Sequence, residues 1–314
     1  MLSKPIKRFL CLGVLGLAVS CSSGNSTATT PSEETTNEAE LTADQVLVIG
    51  DISNSPAEKI ALYQPFADYL ESRLSDGGIE RAIVKIAPDL DTMQAWLAEG
   101  EVDLYFDSPY PVMIMSTRTE SKPLVRRWKG GIAEYHSLIF TLNESDIQTT
   151  ADLAGTQIAL ESDFSTSGYM LPLAYLQAAG LRLVEQSTAT DRLQANEVGF
   201  VFSDDESNTV ELVLSGAVDA GALDNGTFAE LPEEVRSAVR IVLKTDPVAR
   251  HIVLVSAQTP AEQSDAIKDV LLSMDTSSEG QATLESFENT AKFDEFPVEQ
   301  SIERLEELYN QTLE

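Results

Sequence analysis

The sequence predicts an α/β fold with mostly parallel sheets, divided between two lobes with a ligand cleft between them. Three observations carry that prediction. Strand-like runs alternate with amphipathic helical segments from Asp44 onward. About 270 residues follow that point, more than one typical core needs. A short echo also recurs, with Leu97-Ala98-Glu99-Gly100-Glu101-Val102-Asp103 paralleled by Val213-Leu214-Ser215-Gly216-Ala217-Val218-Asp219. In each copy a helix closes at Gly, a strand begins at Val-Asp, and a polar loop follows, holding Asp107-Ser108 or Asp224-Asn225. Ligands of open α/β sheets bind beyond the carboxyl ends of strands. Two such loops facing each other would form a cleft, although Gly-x-Val-Asp also marks an ordinary helix-to-strand turn.

Residues 1–21 read as a signal peptide. Lys4, Lys7 and Arg8 form a basic start, and the apolar run from Phe9 to Val19 is too short for a spanning helix. It ends Leu17-Ala18-Val19-Ser20-Cys21, which resembles a bacterial lipoprotein cleavage site, with Ala18 in place of the commoner Leu. Cleavage there would leave Cys21 as the first residue, carrying lipid. An ordinary signal peptide with a chance Cys is the alternative. Residues 22–43 are Ser, Thr, Glu, Asn and Ala with almost no large apolar side chain, so they read as a disordered tether. Its root-mean-square reach is roughly 25 Å. Cys11 leaves with the signal and Cys21 is consumed by lipid, so the folded part has no thiol, disulfide or Cys-based metal site.

The formal charge is −30. Removing the signal's three basic residues leaves 18 basic against 51 acidic, or −33. Such a surface disfavours nucleic acid and anionic lipid head groups. The expected contact with a membrane is through Cys21 lipid only, and the expected state is a monomer in the periplasm or at the cell surface. An anionic ligand would have to be held by local geometry, which salt screening of the wider field permits.

Val46–Ile49 is a short buried-type strand, and 58–74 is helical with Ile60, Leu62, Phe66, Tyr69 and Leu70 on one side. Ala82–Ile86 is a strand. Asp89 or Asp91 caps a helix carrying Met93, Trp96 and Leu97. Val102–Phe106 is the next strand, and a helix starts at Pro109. Thr156–Leu160 reads as a strand before Ser165-Thr166-Ser167-Gly168-Tyr169-Met170, and Met170, Leu171, Leu173, Ala174 and Leu176 fit a helix ended by Gly180. Three hydroxyls at a helix N-terminus, with its unpaired N–H groups and positive dipole end, can hold a small oxyanion without Lys or Arg. Ser165 or Thr166 is otherwise simply an N-cap.

Catalytic patterns are missing from the chain. The only histidines are His136 and His251, and there is no Gly-x-Ser-x-Gly elbow, His-Glu-x-x-His pair, phosphate-cradling Gly-x-x-x-x-Gly-Lys loop or calcium loop. Asp107, Glu206 and Asp224 are conceivable acid/base groups, but abundant carboxylates in so acidic a chain do not make a dyad. His136, in an apolar-flanked strand, reads as structural. No enzyme, cofactor or metal is expected.

Tyr63-Gln64-Pro65-Phe66-Ala67-Asp68-Tyr69-Leu70, Gly100 to Phe106 with Ser108-Pro109, Tyr135-His136-Ser137, Ala151-Asp152-Leu153-Ala154-Gly155, Ser165 to Tyr169 and Val218-Asp219-Ala220-Gly221-Ala222 form an ordered set. From about residue 45 to about 297 the set resembles the substrate-binding proteins of phosphate/phosphite/phosphonate ABC transporters. The resemblance implies a type II periplasmic-binding-protein fold, with one lobe at 45–134 plus 251–314, the other at 135–250, and crossings near Glu134–Tyr135 and Pro247–His251. It implies a small phosphorus oxyanion as ligand and a permease–ATPase complex as partner. Ser165, Thr166 and Ser167 would grip the oxyanion, Ser108 would contribute from the facing helix, and Tyr135 would donate its hydroxyl. In two places the chain departs from the family pattern. Counting back thirteen residues from Asp219 puts Glu206 at a family histidine position, where a carboxylate repels a phosphonate unless it faces an amine or shares a proton. Pro247-Val248-Ala249-Arg250-His251 stands where an acidic residue often follows proline, bringing two potentially positive groups. Arg250 either pairs bidentately with a ligand anion or pairs with Glu206 or another acid. With Glu206 and Asp224 both in the cleft, an amine-bearing phosphonate is attractive. With Arg250 in it and Glu206 turned away, a second acidic group on the ligand is favoured. Two other readings stay open: a partner of a membrane sensor kinase, and a binder of a non-phosphorus anion.

Overall fold

The computed structural model describes residues 41–186, 193–296 and 300–313. The signal segment, Cys21 and the tether up to residue 40 lie outside the described residues. The first sheet is begun by β1 (Val46–Ile52), β2 (Arg81–Ala87), β3 (Leu104–Asp107) and β4 (Lys122–Arg127), alternating with α1 (Pro56–Leu74), α2 (Leu90–Glu99) and α3 (Pro109–Thr119). The short β5 (Glu134–Tyr135) leads away from it. The second sheet holds β6 (Ser137–Leu142), β7 (Gln157–Leu160), β8 (Arg182–Glu185), β9 (Glu197–Phe202), β10 (Ala220–Asp224) and β11 (Val239–Lys244). Its helices are α4 (Leu171–Ala178), α5 (Glu206–Leu214), α6 (Asn225–Glu230) and α7 (Glu233–Ala238). β12 (Val248–Ala249) pairs with β5, and β13 (His251–Val255) re-enters the first sheet. The chain closes with α8 (Ala261–Ser273), α9 (Ser278–Ser286), β14 (Phe293–Asp294) and α10 (Gln300–Gln311).

The sheet orders are β14-β4-β13-β3-β1-β2 and β11-β6-β10-β7-β9-β8. Each has a parallel trio, β3-β1-β2 or β10-β7-β9, flanked by a strand antiparallel to it, β13 or β6. The sequence echo falls at equivalent places. Asp103 accepts the Val48 N–H and Asp219 accepts the Gln157 N–H, both at 2.8 Å, each just ahead of its strand. This explains why β3 starts at Leu104 rather than at the expected Val102. The Asp103 side chain takes the β1 N–H that a longer ladder would use.

Asp89 is the cap of α2, accepting from Thr92 N at 2.8 Å. In α1 the buried stripe runs through Tyr63, Phe66, Ala67, Leu70 and Leu74, whereas Ile60 and Leu62 are 38% and 36% exposed. The expected stripe is wrong at its start because the inward position goes to Lys59, which is ion-paired to Asp51 and Glu288 at 2.8 Å each. Phe66 stacks on Phe287 at 4.2 Å in the core beside the first sheet. A second cluster joins α3 (Tyr110, Val112), the start of α4 (Leu171, Ala174) and α10 (Leu305, Leu308, Tyr309). Clusters on both faces of the second sheet complete the core. Among the described residues no helix is long and apolar enough to cross a membrane.

Candidate functional site

A cavity of about 280 Å³ opens where loops of both sheets meet. All nine residues singled out from the sequence line it: Ser108, Tyr135, the three hydroxyls at 165–167, Glu206, Asp224, Arg250 and His251. They stand at strand ends. Ser108 follows β3 and precedes α3, the hydroxyl turn lies between β7 and α4, Asp224 ends β10, and His251 starts β13.

The hydroxyl turn is a single π-helical turn, Thr166–Met170, running into α4. Ser165 is its cap, accepting the Gly168 N–H at 2.9 Å and donating to Glu161 Oε2 at 2.7 Å. A Cβ at Gly168 would lie 2.5 Å from Glu161 Cβ, so the turn can fold back on Glu161 only with glycine there. Thr166 Oγ1 accepts from Tyr110 N at 2.9 Å and donates to Ser108 Oγ at 3.0 Å, linking the turn to the start of α3. The Ser167 carbonyl accepts from the Ser137 hydroxyl at 2.6 Å, and Ser167 lines the cavity.

In the same cavity lining, Thr227 Oγ1 lies 2.7 Å from both Glu206 Oε2 and Asp224 Oδ2. One hydroxyl proton cannot serve two carboxylates, so the trio holds a further proton. Burial, then the neighbouring Asp224 charge, pushes the Glu206 carboxyl up to about 7. For Asp224 burial also opposes ionisation, but hydrogen bonds from Thr227, Glu206 and the Gly226 N–H outweigh it and hold its pKa below the usual value. The proton therefore sits on Glu206.

The third wall is cationic. The Arg250 guanidinium stands 4.6 Å over the Tyr135 ring, and among the described residues no carboxylate lies within 4.0 Å of it. The pairing of Arg250 with Glu206 is therefore not what the chain does. Burial pushes the Tyr135 hydroxyl up to about 12, so it is a donor at any physiological pH. Of the two potentially positive groups at 250–251, His251 does not carry a charge. The ring is 6% exposed, and burial together with Lys129, Arg127 and Arg250 drives its pKa well below the ordinary value, so it is neutral. His136 lies outside the cavity lining, and its backbone N–H donates to Asn225 Oδ1 at 2.8 Å.

Sequence reading missed Lys129, Glu161 and Thr227, all of which line the cavity. Lys129 had a signal: Arg126-Arg127-Trp128-Lys129 is a basic run in an acidic chain. The antiparallel pairing of β4 with β13, with Arg127 opposite His251, brings that run beside Arg250. Glu161 and Thr227 carry no signal of their own, since the hydrogen bonds that tie them into the site, to Ser165 and to Glu206 and Asp224, leave no local pattern.

Residues 51–300 match the family described as "ABC transporter, phosphonate, periplasmic substrate-binding protein". The chain belongs to that family. Among solved structures, this phosphonate-family chain is similar to XAC2383 from Xanthomonas citri bound to chloride ion, at 29% identity and TM-score 0.78 over 86% of this chain and 98% of that one. The same protein bound to ATP matches at 28% identity and TM-score 0.77, over 86% and 97%. PhnD1 from Prochlorococcus marinus (MIT 9301) in complex with methylphosphonate shares the fold at 17% identity and TM-score 0.61, over 86% and 99%. The fold is that of type II periplasmic binding proteins. Members of the phosphonate family serve transport by binding substrate, not by turning it over.

Proposed function

We propose that the protein binds a small phosphorus oxyanion (phosphonate, phosphite or phosphate) for an ABC permease–ATPase complex, tethered to a membrane by lipid on Cys21. The observation that carries this reading is the Glu206–Thr227–Asp224 trio lining the same cavity as the hydroxyl turn. An oxyanion in that cavity meets donors from the turn and a carboxylate from the trio. That carboxylate is tolerable only if the ligand brings a proton or an ammonium group. Phosphorus oxyanions keep a P–O–H into the neutral range. Sulfonates and sulfate do not, so the trio selects phosphorus over sulfur. An aminoalkylphosphonate satisfies the same wall through its amine. XAC2383, seen with chloride and with ATP, agrees in binding anions.

Ser167, Ser108 and Tyr135 hydroxyls and the first-turn N–H groups at 166–167 would grip the oxygens. The segments 45–134 plus 251–314 and 135–250 would close as two lobes about the paired β5 and β12. The test is a thermal-shift panel of phosphate, phosphite, methylphosphonate, 2-aminoethylphosphonate, sulfate and methanesulfonate. A ligand at 100 times its Kd adds about 2.7 kcal/mol. A shift with a phosphorus compound and none with its sulfur counterpart is expected; equal shifts with both would overturn the selection argument. For the anchor, Cys21→Ser should move the protein from the membrane to the soluble fraction.

A further inference from the structure

We infer that the cleft contains a second anion subsite, on the wall made by Lys129, Arg250 and His251, and that the ligand carries a second anionic group a short spacer away from its phosphoryl group. The inference rests on the reading of a phosphorus oxyanion at the hydroxyl turn and specifies the ligand further.

Unspent charge is the first argument. Arg250 faces the cavity with an aromatic ring beneath it and no carboxylate within 4.0 Å among the described residues. Among the described residues Lys129 has one carboxylate within 4.0 Å, Glu288 at 3.4 Å, which already pairs with Lys59 at 2.8 Å and Arg127 at 3.1 Å. Asp51, 2.8 Å from Lys59, offsets one of these cations. Asp51, Glu288 and Asp107 thus stand against Lys59, Arg127, Lys129 and Arg250, an excess of one cation in a chain of formal charge −30 that is elsewhere overwhelmingly acidic. Of these acids, Asp107 is occupied by the Tyr105 hydroxyl and by the Ser108 N–H at 2.6 Å.

Unspent hydrogen bonding is the second. His251 lines the cavity, is 6% exposed, and its Nδ1 has no partner. Arg127, paired with His251 across the β4–β13 ladder, is fully buried and outside the cavity lining. Buried polar atoms are normally satisfied, and partly desolvated cations without a counter-ion are costly. An incoming oxyanionic group supplies Arg250, which lines the cavity, with the counter-ion it lacks.

Geometry decides the ligand class. Tyr135 carries Arg250 on its face, and its hydroxyl lies within reach of Thr166. The two subsites are therefore about one aromatic ring apart, and one short molecule in a cavity of about 280 Å³ reaches both. The planar guanidinium suits a carboxylate or a second phosphoryl group in two-point fashion, and Lys129 adds a point charge.

The experiment is calorimetric titration of the protein with methylphosphonate, phosphate, phosphonoacetate and pyrophosphate at one pH and ionic strength. Phosphonoacetate, pyrophosphate or both should bind at least tenfold more tightly than methylphosphonate, and which one does identifies the second group as carboxylate or phosphoryl. Lys129→Met should abolish that advantage, and Lys129→Arg should retain it. Equal affinities across the set in the unaltered protein, or an advantage that survives both Lys129→Met and Arg250→Met, would refute the second subsite while leaving the phosphorus reading intact. No binding of any of the four compounds would remove the phosphorus reading and this inference with it.

Discussion

At the scale of single residues, the site is a problem of where one proton sits. Glu206 and Asp224 share Thr227, and the proton stays on Glu206 because that carboxyl is the more poorly compensated of the two. Glu206 has a folded pKa raised to about 7, so its stabilising contribution is complete below the unfolded carboxyl value of 4.5 and is lost as pH climbs through about 7. Glu206→Gln keeps the neutral form at every pH. Between pH 5 and pH 8.5 the unaltered protein should therefore lose about 1–2 kcal/mol relative to Glu206→Gln, after discounting for solvent contact. Parallel melting curves for the two proteins across that range would contradict the assignment. The position of Glu206 was legible by counting from Asp219, and its conflict with an anion was visible too. Its protonation was not, because that depends on Thr227 and on burial, neither of which has a sequence mark. The neutral state of His251 was hidden for the same reason: burial disfavours its proton first, and of the charges that add to it only Arg250 is a neighbour in sequence, while Lys129, Arg127 and Lys59 are remote in the chain.

At the scale of elements, backbone geometry and side-chain sites cannot be separated. The π turn at 166–170 closes onto Glu161 through the missing Cβ of Gly168. Gly168→Ala should cost about 1–3 kcal/mol from overpacking and reduce methylphosphonate affinity at least tenfold, read by chemical denaturation and calorimetry. Unchanged affinity would mean the turn is not part of the site. The paired aspartates make a second case. Asp103→Ala leaves a part-buried N–H without a partner and should cost about 1–3 kcal/mol, whereas Asp219→Ala frees an exposed N–H that water can take and should cost about 0.5–1.5 kcal/mol. Because they sit in different sheets, the double variant should be additive within about 0.5 kcal/mol. The repeat was legible as a phrase of seven residues, although its purpose, a carboxylate replacing a ladder bond, was not. The period of α1 misled at Ile60 and Leu62 because hydrophobic periodicity assumes that a lysine faces water. Lys59 instead turns inward to Asp51 and Glu288.

For the whole molecule, the α/β alternation and the carboxyl-end loops were readable from composition and order, and they led to the cavity. The contribution of β4 was not readable, since the antiparallel return of β13 is a property of topology rather than of local pattern. One consequence of that topology is optical. The chain has two tryptophans. Trp96 lies under the Lys85 ammonium at 3.9 Å in α2. Trp128 is bonded to Lys129 in sequence and flanked by Lys292 at 4.4 Å and Arg126 at 5.7 Å. Trp96→Phe would leave a single indole beside the cationic wall and none elsewhere. Its emission should respond when phosphonoacetate or pyrophosphate arrives and stay nearly still for methylphosphonate, so the protein carries an unlabelled reporter that distinguishes which half of its cleft is filled.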